Sequence, residues 1–93
     1  MAGSYQIRWV SKARRDQLKR KPGQHDMVLL DSINGFLIVE PQGSNLGDGE
    51  MLTREQADFE LREVWCPERK VKLNRARQLL GLPLEQEHPA GMA

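Results

Sequence analysis

The stretch Met27-Val28-Leu29-Leu30-Asp31-Ser32-Ile33-Asn34-Gly35-Phe36-Leu37-Ile38-Val39-Glu40 constrains the fold more than any other part of the chain. Two β-rich runs flank an Asn-Gly pair, and that dipeptide accepts the positive φ angles of a type I′ turn, whose twist matches the strands it joins. The pattern predicts a hairpin with Asn34 and Gly35 at the centre of the turn and Ile33 facing Phe36. Alternation then places Val28, Leu30, Leu37 and Val39 on one face, and Leu29, Ile33, Phe36 and Ile38 on the other. Both faces are apolar, so the hairpin needs cover on both sides.

Tyr5 to Val10 alternates as well, with Tyr5, Ile7 and Trp9 on one side, and reads as a half-buried strand. Ser11 is a candidate N-cap for a basic helix from Lys12 to Lys21, stopped by Pro22 and Gly23. Ala13 and Leu18 are its apolar anchors, which suits a partly ordered arm more than a deeply packed helix. After Pro41, the glycines at 43, 47 and 49 predict an open, mobile loop. Thr53 and Gln56 have capping-box spacing, and Ala57, Leu61, Val64 and Trp65 then recur at helical period, predicting a helix from Arg54 to Trp65. A strand through Phe59, Leu61 and Glu63 is the competing reading, and the cap favours the helix. Pro67 breaks that helix, and a second follows from Glu68 to Leu80 with Gly81 as C-cap and Pro83 beyond it. The expectation is a small α+β domain over residues 1–84: a three-stranded antiparallel sheet made of the N-terminal strand and the hairpin, two C-terminal helices, and the short basic helix. Residues 85–93 read as a flexible tail. A chain of 93 residues suits one such core.

The longest apolar runs are Met27 to Leu30 and Phe36 to Val39, far short of a membrane span, and no signal-peptide pattern opens the chain. A cytoplasmic protein is expected. The single Cys66 cannot build an internal disulfide framework. His25, His88 and Cys66 are the candidates for acid-base or nucleophilic work, and they form no cluster in sequence, so a non-enzymatic protein without a catalytic residue is expected. They also lack any spacing that closes a metal site, and no cofactor motif is present. The glycines around Ser44-Asn45-Leu46 are not followed by Lys-Ser or Lys-Thr, so they make no phosphate loop. Asp48-Gly49-Glu50 falls short of a calcium loop. A helix-turn-helix over Thr53 to Leu80 would need its turn at Cys66-Pro67, which is too tight and lacks glycine.

Charge is the remaining signal. The net charge is +1, yet residues 1–30 carry seven bases against two acids, residues 31–66 eight acids against two bases, and residues 67–93 five bases against three acids. Such blocks make either a basic face for an anionic partner or pairs formed within the fold. On the first reading Arg8, Lys12, Arg14, Arg15, Lys19, Arg20 and Lys21 join Arg69, Lys72, Arg75 and Arg77 to bind nucleic-acid phosphates, with Tyr5 and Trp9 stacking on bases. The alternative is a protein-interaction module, an adaptor, inhibitor, small subunit or homodimer steered by charge, with the twice-apolar hairpin seeking a partner to cover it.

Overall fold

The computed structural model describes residues 4–21 and 26–85. The Pro22-Gly23 stop, His25, His88 and tail residues 86–93 lie outside the described residues. In chain order the elements are β1 (Tyr5–Val10), α1 (Lys12–Lys19), β2 (Val28–Ser32), β3 (Gly35–Pro41), α2 (Arg54–Arg62) and α3 (Arg69–Leu80). The strands form one antiparallel sheet in the order β1-β3-β2, the expected α+β architecture.

The hairpin forms, with a different turn. Ser32 pairs with Gly35 and Val28 with Val39, so the two turn residues are Ile33 and Asn34. Both have negative φ, which excludes the type I′ geometry, and Gly35 alone in the hairpin takes a positive value, 148°. A side chain there would be strained, and a Cβ would sit 3.0 Å from the Trp9 ring, so glycine is required for backbone and for packing. The register differs from the expected one by two residues. A shift of two preserves alternation, so Val28, Leu30, Leu37 and Val39 still share a face, whereas Ile33 leaves the sheet for the turn and is exposed.

Each face has its own cover. On one, Ile7, Leu30, Leu37 and Val39 pack against Ala57 and Leu61 of α2, Leu73 and Ala76 of α3, and Leu52, Val64 and Leu82 from the connections. On the other, Val10 and Ile38 pack against Leu18 of α1, with Met27, Leu29, Phe36 and Leu46 around them. The basic helix is therefore a structural layer, anchored by Leu18 while Ala13 stays exposed. Each fully buried leucine contributes roughly 1.5–3 kcal/mol relative to exposure.

Both edges of the sheet are also occupied. Along β1, the Trp9 N–H donates to Glu50 O, Gly49 N–H to Trp9 O, and Leu52 N–H to Ile7 O. Along the hairpin end of β2, the Ile33 N–H donates to Glu63 O and the Trp65 N–H to Asp31 O. That second pairing explains why α2 stops at Arg62 instead of Trp65: the backbone of residues 63–65 is recruited as a short extra strand. The capping box at Thr53 and Gln56 is formed as expected. Gly81 caps α3.

The loop after β3 is not open. Glu40 is fully buried, and its Oε1 accepts the backbone N–H groups of Leu46 (2.9 Å) and Gly47 (3.0 Å) while Oε2 accepts Gln6 Nε2 (2.6 Å). Arg8 Nη1 lies 3.8 Å from the same carboxylate. Asp48 accepts both the N–H and the hydroxyl of Ser11, and Arg14 donates to Leu46 O, which fastens the loop to the start of α1. A Cβ on Gly47 would meet Ile38 at 2.8 Å, so the loop backbone lies directly on the second core.

Candidate nucleic-acid interface

Helical spacing distributes the cations of α1 around its buried Leu18, and each of the eleven basic residues singled out above has a definite place. Four serve the fold. Arg8 donates to Gly49 O and approaches Glu40. Arg15 reaches Asp31 at 2.9 Å and Asp16 at 3.2 Å, with its guanidinium 4.0 Å from the Phe36 ring centroid. Arg69 grips Glu85 through two bonds of 2.6 and 2.8 Å and donates to Val64 O. Arg77 is buried, donating to Asp58 at 3.0 Å and to Pro83 O. Three of these pairs join a terminal basic block to the acidic middle, which is the intramolecular reading of the charge pattern. Glu85, the first residue of the expected tail, is held in addition by Asn74.

The other seven keep their charge available. Lys12 makes an exposed pair with Asp16 at 3.4 Å, which contributes little in water. Arg14 bonds only neutral oxygens, those of Leu46 and Gln17. Lys19, Arg20, Lys21, Lys72 and Arg75 have no carboxylate partner among the described residues. Lys19, Arg20 and Lys21 sit at the C-terminal end of α1, where positive charge complements the helix dipole.

The fold brings the two basic blocks together at one place. Arg15 and Lys19 of α1, Leu29 and Asp31 of β2, and Cys66, Pro67 and Lys72 of the α2–α3 connection and α3 line a narrow cleft of about 90 Å³. On the other flank of α1, Arg14, Arg20 and Lys21 border a shallow groove of about 440 Å³ beside Leu18 and Leu46. Arg75 faces a separate hollow on the outer side of α3, with Lys70, Val71, Asn74, Gln78 and Leu84. Cleft and groove together make α1 a helix with cations on both flanks.

Tyr5 and Trp9 are half-buried against the first core, and the Tyr5 hydroxyl donates to Asp26. The Trp9 ring lies over Gly35. Packing accounts for both, and neither ring stands out as a stacking platform. Cys66 is a free, half-buried thiol at the cleft wall. Glu40 was not singled out from sequence, and Arg77, expected among the phosphate contacts, is buried instead. The signal for Glu40 was its alternation with Phe36 and Ile38 on a face that had to be covered, next to a glycine-rich run rich in free amides.

Four carboxylates are held below their ordinary values, among them Asp16, where desolvation pushes upward and the Lys12 and Arg15 charges outweigh it. The Arg77 guanidinium does this at Asp58, the Arg69 fork at Glu85, and the Ser11 hydroxyl and amide at Asp48. Because the folded pKa is depressed, the folded state binds fewer protons than the unfolded chain as pH falls toward the ordinary values of 3.8 for Asp and 4.5 for Glu. The stability these groups add is full above that range and is lost as pH drops through the folded values. Thermal midpoints are expected to be level near neutrality and to fall below about pH 4, with Asp58→Asn lowering the neutral midpoint and flattening the acid decline. A parent midpoint unchanged down to pH 2 would contradict this.

Among the described residues no group of three or more His, Cys, Asp or Glu is placed to hold a metal ion, and no helix is long and apolar enough to cross a membrane. No family model, no curated protein and no solved structure matches the chain.

Proposed function

We propose that this is a small cytoplasmic, non-enzymatic regulatory protein that binds nucleic acid through the basic surface of α1 and the adjoining side of α3. One observation carries the reading: once the internal pairs are formed, the cations without a carboxylate partner among the described residues are Arg54 on α2, Arg75 on the outer side of α3, and five that line the groove and cleft flanking α1, namely Arg14, Lys19, Arg20, Lys21 and Lys72. Arg14 adds its charge from the groove side. Long cationic side chains that spend their charge on no internal partner are suited to phosphates, where they displace condensed counterions. Arg8, Arg69 and Arg77 take no part, because moving them would break bonds the fold uses.

Salt dependence tests the reading. If the five cations contact phosphates, the logarithm of the duplex association constant should fall against the logarithm of salt with a slope of about −4 to −5, measured by fluorescence anisotropy between 50 and 200 mM salt. Absence of binding at the low end would end the proposal.

A protein-interaction role retains one supporting observation. Trp65 is 70% exposed, with exposed Ile33 in the neighbouring hairpin turn and exposed Phe59 on α2. The hairpin itself no longer calls for a partner, since both its faces are covered from within. A dimer in sedimentation, together with no shift of any strand at low salt, would favour that role over the first.

A further inference from the structure

We infer that the narrow cleft between α1 and α3 is a seat for one terminal phosphomonoester of a nucleic-acid strand. The inference rests on the nucleic-acid reading and adds to it a specific point of attachment.

Size sets the first limit. At about 90 Å³ the cleft has room for a tetrahedral phosphoryl group. Charge sets the second. Arg15, Lys19 and Lys72 supply three positive charges and Asp31 one negative, leaving two positive charges at the lining. A phosphomonoester near neutral pH carries between one and a half and two negative charges, whereas an internal diester carries one. The monoester is therefore the better match.

The donors also differ in how they are prepared. Arg15 is held rigidly, with one terminal nitrogen on Asp31, the other near Asp16, and its plane against Phe36. Its Nε–H is buried without a partner among the described residues and its terminal nitrogens are taken, so Arg15 acts at the cleft as a fixed positive charge. Lys19 and Lys72 approach from opposite helices without a carboxylate partner of their own among the described residues and can close on an oxyanion from two sides. Leu29 and Pro67 give the cleft apolar wall, where charge-assisted hydrogen bonds weaken less than in open solvent.

Cys66 provides the readout, because it lines the cleft and is the one cysteine in the chain. The full chain is mixed with strands phosphorylated at the 5′ or the 3′ end, and with hydroxyl-ended strands lengthened to equal total charge. Affinity is read by anisotropy and cleft occupancy by the rate of iodoacetamide alkylation of Cys66. The phosphorylated strand should bind at least about tenfold more tightly than its charge-matched control and slow alkylation by a similar factor. In Lys72→Gln, and independently in Lys19→Gln, the ratio of the two affinities should collapse to near one, and Cys66 should alkylate at the same rate with either strand. Equal affinity of both strands for the parent, with Cys66 unprotected, overturns the end-phosphate seat and leaves general binding standing. Inorganic phosphate that protects Cys66 as well as the phosphorylated strand does at equal concentration also overturns it, assigning the cleft to the free ion. Failure of every strand to bind at 50 mM salt removes the underlying reading together with this one.

Discussion

Replacing Glu40 by alanine is expected to lower folding stability by about 3–5 kcal/mol, the largest effect of any single substitution outside the apolar core. The carboxylate is completely buried and serves three donors at once: the backbone N–H groups of Leu46 and Gly47 and the side-chain amide of Gln6. Alanine leaves the Leu46 and Gly47 amides without a partner and Gln6 Nε2 with only Ser44 O, at 3.2 Å, and leaves Arg8 without the negative charge 3.8 Å from its Nη1. For a domain whose whole stability is about 5–15 kcal/mol, this is about a fifth of the total or more. Glutamine is the informative companion. Its carbonyl can still accept the loop amides, but its NH2 would point a donor at the Gln6 donor now 2.6 Å away, so an intermediate loss of about 1–3 kcal/mol is expected. Urea titration followed through tryptophan fluorescence measures both, and amide exchange at Leu46 and Gly47 should accelerate before the rest of the molecule opens. An alanine variant whose urea midpoint matches the parent would show that the loop is held by its other bonds, to Ser11, Arg14 and β1.

The same residue shows where sequence reasoning stops. Composition makes residues 42–50 look open, because glycine and asparagine carry no apolar anchor of their own. What orders them is an acceptor on β3 and a backbone edge on β1, neither of which is local to the loop. Alternation, in contrast, is a local property that survives an error of register. The hairpin faces were legible although the turn sits at Ile33 and Asn34, since a displacement of two residues returns every side chain to its own face. The end of α2 was not legible, because Val64 and Trp65 continue the helical period while the flanking backbone is captured across the β2 edge, Glu63 O by Ile33 and the Trp65 N–H by Asp31. The charge blocks lie between these cases. Their existence was plain, but which arginines would be taken up by Asp31, Asp58 and Glu85 depends on contacts 16 to 19 residues apart in sequence. Only the fold separates structural cations from available ones.

That separation leads to the second large effect. Substituting Lys19, Arg20 and Lys21 together by glutamine is expected to weaken duplex binding about a thousandfold at 50 mM salt and to bring the salt slope closer to zero by about 2.7, the counterion release of three phosphate contacts. Folding should be almost untouched. All three side chains are exposed and have no carboxylate partner among the described residues, and surface changes of this kind usually stay within about 0.5 kcal/mol. The mirror experiment uses Arg77→Gln, which leaves Asp58 with Arg62 as its remaining cation and strands the Pro83 carbonyl, and should lower the melting midpoint while leaving the salt slope of the folded protein as it was. Two variants that each remove positive charge, one altering binding and the other stability, are the signature of a cation set divided between surface and scaffold. If the triple variant keeps the parent slope, phosphates do not meet the end of α1. If it also unfolds, then α1 depends on those side chains for more than its Leu18 anchor, and the division drawn from the ion pairs is wrong.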